Sequence, residues 1–212
     1  MSQLPQPPSA QTLRERAPLD GALHRLDTDA VLWRIHLTVG EHVLPWNELR
    51  HWAPAAGRFD PHNVPPGHDQ AHGVLYVAAA QVGVAVTETF QRIRRVDVTA
   101  GGPWLTGLQL TRPLALLDLT GAWATRAGAS QAMSTGPRPR AQRWARVIAA
   151  AWPALDGIWY RSSMLGGGRC AALWTPAADA VPARPLLSLP LSHPASWGPL
   201  AVICERVGYR LA

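Results

Sequence analysis

At 212 residues with 47% hydrophobic and 16% charged side chains, the chain has the balance of a globular domain rather than a disordered one and is long enough to bury one substantial core. A net charge of +6 and an isoelectric point near 10.6 would suit a nucleic-acid partner, yet all 20 basic residues are arginine and none forms a dense run. Arg92, Arg94 and Arg95, and the interval from Arg138 to Arg146, read as solvated helix faces. Cys170 and Cys204 have neither zinc spacing nor a disulfide framework, and no apolar stretch reaches membrane-spanning length. The expectation is a cytoplasmic protein in a reducing compartment, with no metal, no membrane contact and no direct nucleic-acid contact.

In chain order, residues 1–25, broken by Pro5, Pro7, Pro8 and Pro18, read as a flexible leader without a signal-peptide stretch, so the ordered domain is expected over 26–212. Alternation over residues 31–37 predicts a strand with Trp33, Ile35 and Leu37 on one face and Arg34 on the other. The Pro- and Gly-rich stretch from Trp52 to His72 reads as a long loop. A strand over 73–78 leads into a helix over 79–92 that turns Val82, Ala85, Val86, Thr89 and Ile93 to the core and leaves Glu88 at the margin of that stripe. Two strands follow, 105–111 and 114–120, split by Pro113. A short helix begins at Gly121, and a clear amphipathic helix covers 140–152 with Trp144, Val147, Ile148 and Ala151 in phase. Residues 157–160 and 170–174 read as strands around the turn Gly166-Gly167-Gly168. A last helix, capped by Ser192 and admitting Pro194 in its first turn, runs to Arg206, and residues 209–211 close as an edge strand. Strands grouped without regular βα alternation give an α+β class.

The polar groups gather in three segments: Trp33-Arg34; then Gly57-Arg58-Phe59-Asp60 with Leu75-Tyr76-Val77-Ala78 and Thr87-Glu88-Thr89-Phe90; then Asp156-Gly157-Ile158-Trp159-Tyr160-Arg161-Ser162-Ser163. In this order and spacing, over residues 30–211, the set resembles the RES domain family, toxins of bacterial toxin–antitoxin systems. The resemblance implies a single compact domain with a mixed, strongly bent β-sheet core and flanking helices, ADP-ribosyltransferase-like. It also implies an enzyme that consumes NAD by hydrolysis or phosphorolysis. NAD is then a substrate, inorganic phosphate an optional co-substrate, and no prosthetic group is required. Expected partners are NAD and a cognate antitoxin protein, with a homo-dimer left open. By the same resemblance Arg34 and Arg58 take the family's arginine positions, Tyr76 its tyrosine, Glu88 its glutamate and Ser162 its serine. Ser163 is an open alternative. The chain departs from the family in its long proline-rich loop between Arg58 and Tyr76, and in Trp33, where tyrosine is common.

The residue types suit that chemistry. Guanidinium forks bind phosphate oxygens through paired, charge-assisted hydrogen bonds, so Arg34 and Arg58 would hold a diphosphate. Cleaving a nicotinamide–ribose bond develops positive charge on the sugar, which a carboxylate such as Glu88 stabilises. Tyr76 would stack on or hydrogen-bond to the nicotinamide, and a serine would orient the ribose. Taken singly, each residue has an ordinary reading: surface ion pairs for the arginines, a core-edge aromatic for Tyr76, an exposed helix position for Glu88, a turn for the serines. His62, His68, Asp69 and His72 are read as solvated loop residues, because Pro65, Pro66 and Gly67 oppose the helix that a metal pair would need. Cys170, in an apolar strand, reads as an inert thiol. The alternative functions are ADP-ribosyl transfer to a protein and, third, a non-enzymatic binding module.

Overall fold

The computed structural model describes residues 4–53, 57–63 and 65–212. Its elements in chain order are α1 (Ala10–Arg16), β1 (Leu23–Leu26), β2 (Leu32–Leu37), β3 (Trp52–Ala53), β4 (Gly67–His68), β5 (Val74–Ala79), α2 (Val82–Phe90), β6 (Arg95–Val96), β7 (Pro103–Leu108) and β8 (Leu114–Asp118). There follow α3 (Trp123–Arg126), α4 (Ala132–Thr135), α5 (Arg138–Ala151), β9 (Gly157–Arg161), β10 (Arg169–Trp174), a 3-10 turn (Thr175–Ala180), β11 (Leu187–Pro190), α6 (Pro194–Val207) and β12 (Arg210–Leu211). Eight strands form one mixed sheet in the order β1-β8-β9-β10-β5-β2-β7-β11. Within it β8 and β9 run parallel and the other neighbours antiparallel.

Alternation along the central strands sends side chains to two apolar layers. Val74 and Ala78 of β5, Ala172 and Trp174 of β10 and Ile158 and Tyr160 of β9 meet Leu13, Trp123, Trp144 and Ile148 from α1, α3 and α5. Leu75, Val77, Ala171, Leu173 and Trp159 face the other way, against Leu32, Leu108, Leu116 and the 3-10 turn. A third cluster packs α2 against α6 through Val86, Phe90, Leu200 and Cys204. Among the described residues no helix is long and apolar enough to cross a membrane.

The structure corrects three expectations. Residues 4–25 are not a leader outside the core: Ser9 caps α1, Leu4 and Leu13 are buried, and the Trp144 indole donates to the Pro5 carbonyl at 2.9 Å. The prolines that suggested disorder flank the helix, Pro5, Pro7 and Pro8 before it and Pro18 after it, and none lies inside it. The buried side of α2 is rotated from the expected stripe: Val84, Thr87 and Phe90 are buried, while Thr89 is exposed and Ile93 lies beyond the helix, 59% exposed. Packing between the sheet and α6 leaves that helix with less than one free face, which a single-stripe reading misses. The cap of α6 is His193, whose Nδ1 accepts from the Ala195 N–H at 3.2 Å, not Ser192.

Candidate active site

Strand β5 has two edges. On one, β10 pairs with it over all six residues, from Val74 to Ala79. On the other, β2 pairs only through Leu32↔Ala79 and Trp33↔Ala78, then stays with β7 over six positions. Arg50 bonds to Val74 at the opposite end of that edge, N to O at 2.9 Å and 3.1 Å. Between Trp33 and Arg50 the strands part, and a cavity of about 410 Å³ opens there, lined by Arg34, Arg58, Tyr76, Glu88 and Ser163 among others. Because the gap lies within the sheet, residues that alternate onto opposite faces, Trp33 and Arg34, both line it.

The five positions reach the cavity by different routes. Arg34 projects from β2, and its buried Nε has no hydrogen-bond partner among the described residues. Burial first, and then the nearby Arg50 cation, lowers its pKa to about 10, so it stays charged at neutral pH. Its neighbour along the strand, His36, is pushed down to about 4 by burial and by Arg34 and is neutral at pH 7. Arg58 sits in the loop before β5 and donates from Nη1 to the Gly136 carbonyl at the entrance to α5. Burial and Arg138 lower its pKa, against the opposing pull of Tyr160, Glu88 and Tyr76. Among the described residues neither Arg34 nor Arg58 has a carboxylate salt-bridge partner.

Glu88 is gripped on one oxygen. Its Oε1 accepts from Ser162 Oγ at 2.6 Å and from the Ser163 N–H at 2.9 Å, with Ser163 Oγ at 3.5 Å. The two serines therefore differ. Ser162 Oγ spends its proton on Glu88 and accepts the N–H groups of Met164 at 3.1 Å and Leu165 at 3.0 Å. Ser163 lines the cavity, and its hydroxyl is held only by that long contact. A hydroxyl has one proton to donate, so Ser162 holds the carboxylate and Ser163 keeps a group to offer.

Tyr76 also lines the cavity, but its hydroxyl is committed: it donates to Asp60 Oδ1 at 2.7 Å and accepts from the Phe59 N–H at 2.8 Å. The expected hydrogen bond from this hydroxyl to a nicotinamide thus has no free proton behind it. Burial, and then Asp60, pushes the phenol pKa well up. Below, Tyr160 and Cys170 close the floor. The Cys170 thiol is pushed up by burial and by Glu88, which keeps it a neutral packing group.

Sequence reasoning missed Arg50, Asp60, Arg138 and Tyr160. The motif Gly57-Arg58-Phe59-Asp60 contained Asp60, and Tyr160 stood beside the serines, but nothing in the local pattern marks Arg50. Two of the loop residues expected to be solvated, His62 and Asp69, are buried. His62, 5% exposed, has its Nε2 3.1 Å from the Arg50 carbonyl, and Asp69 accepts from the N–H groups of Asn63, Ala71 and His72. Among the described residues no three His, Cys, Asp or Glu side chains gather as a metal ion would require.

Comparison with known proteins gives a family and a fold. The model of the RES domain matches residues 31–192. The solved crystal structure of the M. tuberculosis MbcT-MbcA toxin-antitoxin complex contains a chain with the same fold: 15% identity, TM-score 0.58, covering 92% of this chain and 96% of that one. No curated protein matches.

Proposed function

The chain belongs to the RES domain family, and from that premise and the geometry of its cavity we propose that it is an NAD-consuming enzyme that cleaves the nicotinamide–ribose bond. The observation that carries the reading is Glu88, a carboxylate with one oxygen bound by Ser162 and Ser163 and the other without a hydrogen bond among the described residues. It shares its cavity with Arg34 and Arg58, neither of which has a carboxylate salt-bridge partner among the described residues.

In the proposed reaction the bond between ribose C1′ and the pyridinium nitrogen breaks with its electron pair going to nitrogen, so neutral nicotinamide leaves. The ribose is left with oxocarbenium character. A fixed carboxylate beneath it stabilises that charge more than it stabilises NAD, which is the condition for acceleration. Ser162 and the Ser163 N–H hold Glu88 in register, so no reorganisation is needed as charge develops. Arg34 and Arg58 take the diphosphate. A buried, unpaired guanidinium is costly in the empty protein, and an anionic ligand supplies its missing partner. The Ser163 hydroxyl contacts the adjoining ribose, while Tyr76 presents its ring rather than its proton. The second product depends on the acceptor that adds to C1′: inorganic phosphate through an anionic oxygen, or water, which forms the new C–O bond and releases one of its protons to solvent. No prosthetic group enters the scheme.

We extend the proposal to biology: this enzyme is the toxin of a toxin–antitoxin pair, acts on cytoplasmic NAD and is held inactive by a protein antitoxin. Support comes from family membership and from the likeness to a chain of a toxin-antitoxin complex. The test is to incubate the purified, folded protein with NAD, with and without phosphate, and quantify free nicotinamide and the sugar product. Nicotinamide release in step with NAD loss is expected; intact NAD in both conditions overturns the reading. With NAD labelled in the adenylate half, label appearing on a protein band would instead indicate ADP-ribosyl transfer.

A further inference from the structure

Asp60 is one of the most enclosed charged residues of the chain, 1% exposed, and it does not line the cavity. Its carboxylate collects three donors. Oδ2 accepts from Arg50 Nη2 at 2.6 Å and from the Gly57 N–H at 2.7 Å; Oδ1 accepts from the Tyr76 hydroxyl at 2.7 Å. All three donors belong to residues that do line the cavity.

The rest of the short loop is fixed just as fully. The Gly57 carbonyl accepts from Gln142 Nε2 at 2.8 Å, the Phe59 N–H donates to the Tyr76 hydroxyl, and the Phe59 carbonyl accepts from the Trp174 indole at 3.0 Å. Gly57 lies so close to Tyr76 that a Cβ there would come within 2.4 Å of the phenol oxygen. Flanked by residues whose backbone is pinned on both sides, Arg58 is left to reach across to Gly136. The same carboxylate tethers Arg50, which bridges to the start of β5 and lies close enough to Arg34 to lower its pKa.

From this network we infer that Asp60 is a positioning residue for the anion-binding side of the cavity: one buried carboxylate fixes the loop that presents Arg58 and, at the same time, the Arg50 guanidinium beside Arg34. The inference rests on the NAD reading and deepens it, by making Arg50 a third guanidinium of the diphosphate subsite and Asp60 the group that spaces it from Arg58. Bonds to a carboxylate are stronger than bonds to a neutral acceptor, and an amide presents only one acceptor oxygen where Asp60 presents two. Asp60→Asn therefore loosens both arginines without removing either. Since the diphosphate lies away from the bond that breaks, the loss falls on ground state and transition state alike, and so on KM rather than kcat.

The experiment compares wild type, Asp60→Asn, Tyr76→Phe and Asp69→Asn for melting temperature and for KM and kcat with NAD as the probe. Asp69 is the control: it is a second buried carboxylate of the same loop, 3% exposed, but its donors are Asn63, Ala71 and His72, none of which lines the cavity. The expected result is a KM raised about tenfold or more in Asp60→Asn, a smaller rise in Tyr76→Phe, kcat within about threefold of wild type, and an unchanged KM in Asp69→Asn. If Asp60→Asn does not fold, the Tyr76→Phe comparison decides alone. A KM within about twofold of wild type in the folded variants, whatever their melting temperatures, reduces Asp60 to a loop staple and overturns the inference. Failure of wild type itself to bind or consume NAD is visible before any variant is compared; it overturns the NAD reading, and this assignment with it.

Discussion

The two edges of β5 show how one strand can serve stability on one side and chemistry on the other. Toward β10 it is paired along its whole length, and side chains on both faces of that seam, Leu75, Ala171, Ala172 and Leu173 among them, are fully buried. Toward β2 it is paired at two positions, and the gap holds Arg34, whose Nε has no hydrogen bond among the described residues, near the Arg50 cation. The first edge satisfies every rule of a sheet interior. The second breaks two of them, leaving a ladder open and a charge unpaired, and that is where the polar residues of the cavity converge. Both rules broken together at one place mark a site shaped for a ligand.

The comparison can be broken by mutation on each side. On the paired edge, Leu173→Ala deletes a fully buried side chain and should destabilise by about 2–5 kcal/mol, read as a lowered melting temperature. On the open edge the sign should reverse. Arg34→Met removes a buried cation and fills its space, so it should stabilise by on the order of 1–4 kcal/mol while weakening NAD binding in a calorimetric titration. A loss of stability there would mean that Arg34 is a structural residue with partners and not a waiting ligand contact.

A third, intermediate effect concerns the turn around Asp69, which binds Asn63, Ala71 and His72 and not the segment that carries Arg58. Burial raises the pKa of Asp69, but the N–H of Asn63 and the His72 side chain outweigh it and hold the carboxyl below its usual value. A depressed folded pKa stabilises above the unfolded value, near pH 4, and that contribution is lost as pH falls through the folded one. Asp69→Asn should cost about 1–3 kcal/mol at pH 7, with the gap to wild type closing as the solution is acidified. A gap independent of pH would show that the carboxylate's charge is not what holds the loop. The smallest effect is spectroscopic: in Arg34→Met the His36 imidazole, held at about 4 by burial and by Arg34, should titrate at higher pH by NMR.

Much of the scaffold was legible because it is written locally. The alternation around Trp33, Leu75 and Cys170 and the helical phase of Trp144, Ile148 and Ala151 each need only one segment to be read, and β2, β5, β10 and α5 lie where those patterns put them. Helix α1 was not legible, since the prolines before it mask a short amphipathic turn whose worth comes from Leu13 burying against α5. The parting of β2 from β5 could not be read either, because neither strand's own alternation records where its pairing stops. Arg34, Arg58, Tyr76, Glu88 and the serines stood out only through the order and spacing that resemble the RES family, since each taken singly has an ordinary reading. Asp60 escaped because a loop aspartate usually signals a turn, and Ser162 and Ser163 were indistinguishable until the hydrogen bonds to Glu88 separated them.

The central claim is that the open edge of β5 houses a reaction carried by Glu88, and nicotinamide release by Glu88→Gln beside wild type tests it most directly. Glutamine keeps the shape and the acceptor oxygen for Ser162 and Ser163 but removes the charge. The account predicts a fall in release rate of about 10²–10³-fold, with the melting temperature and NAD affinity close to wild type. Nicotinamide released at the wild-type rate by a folded Glu88→Gln protein would contradict it.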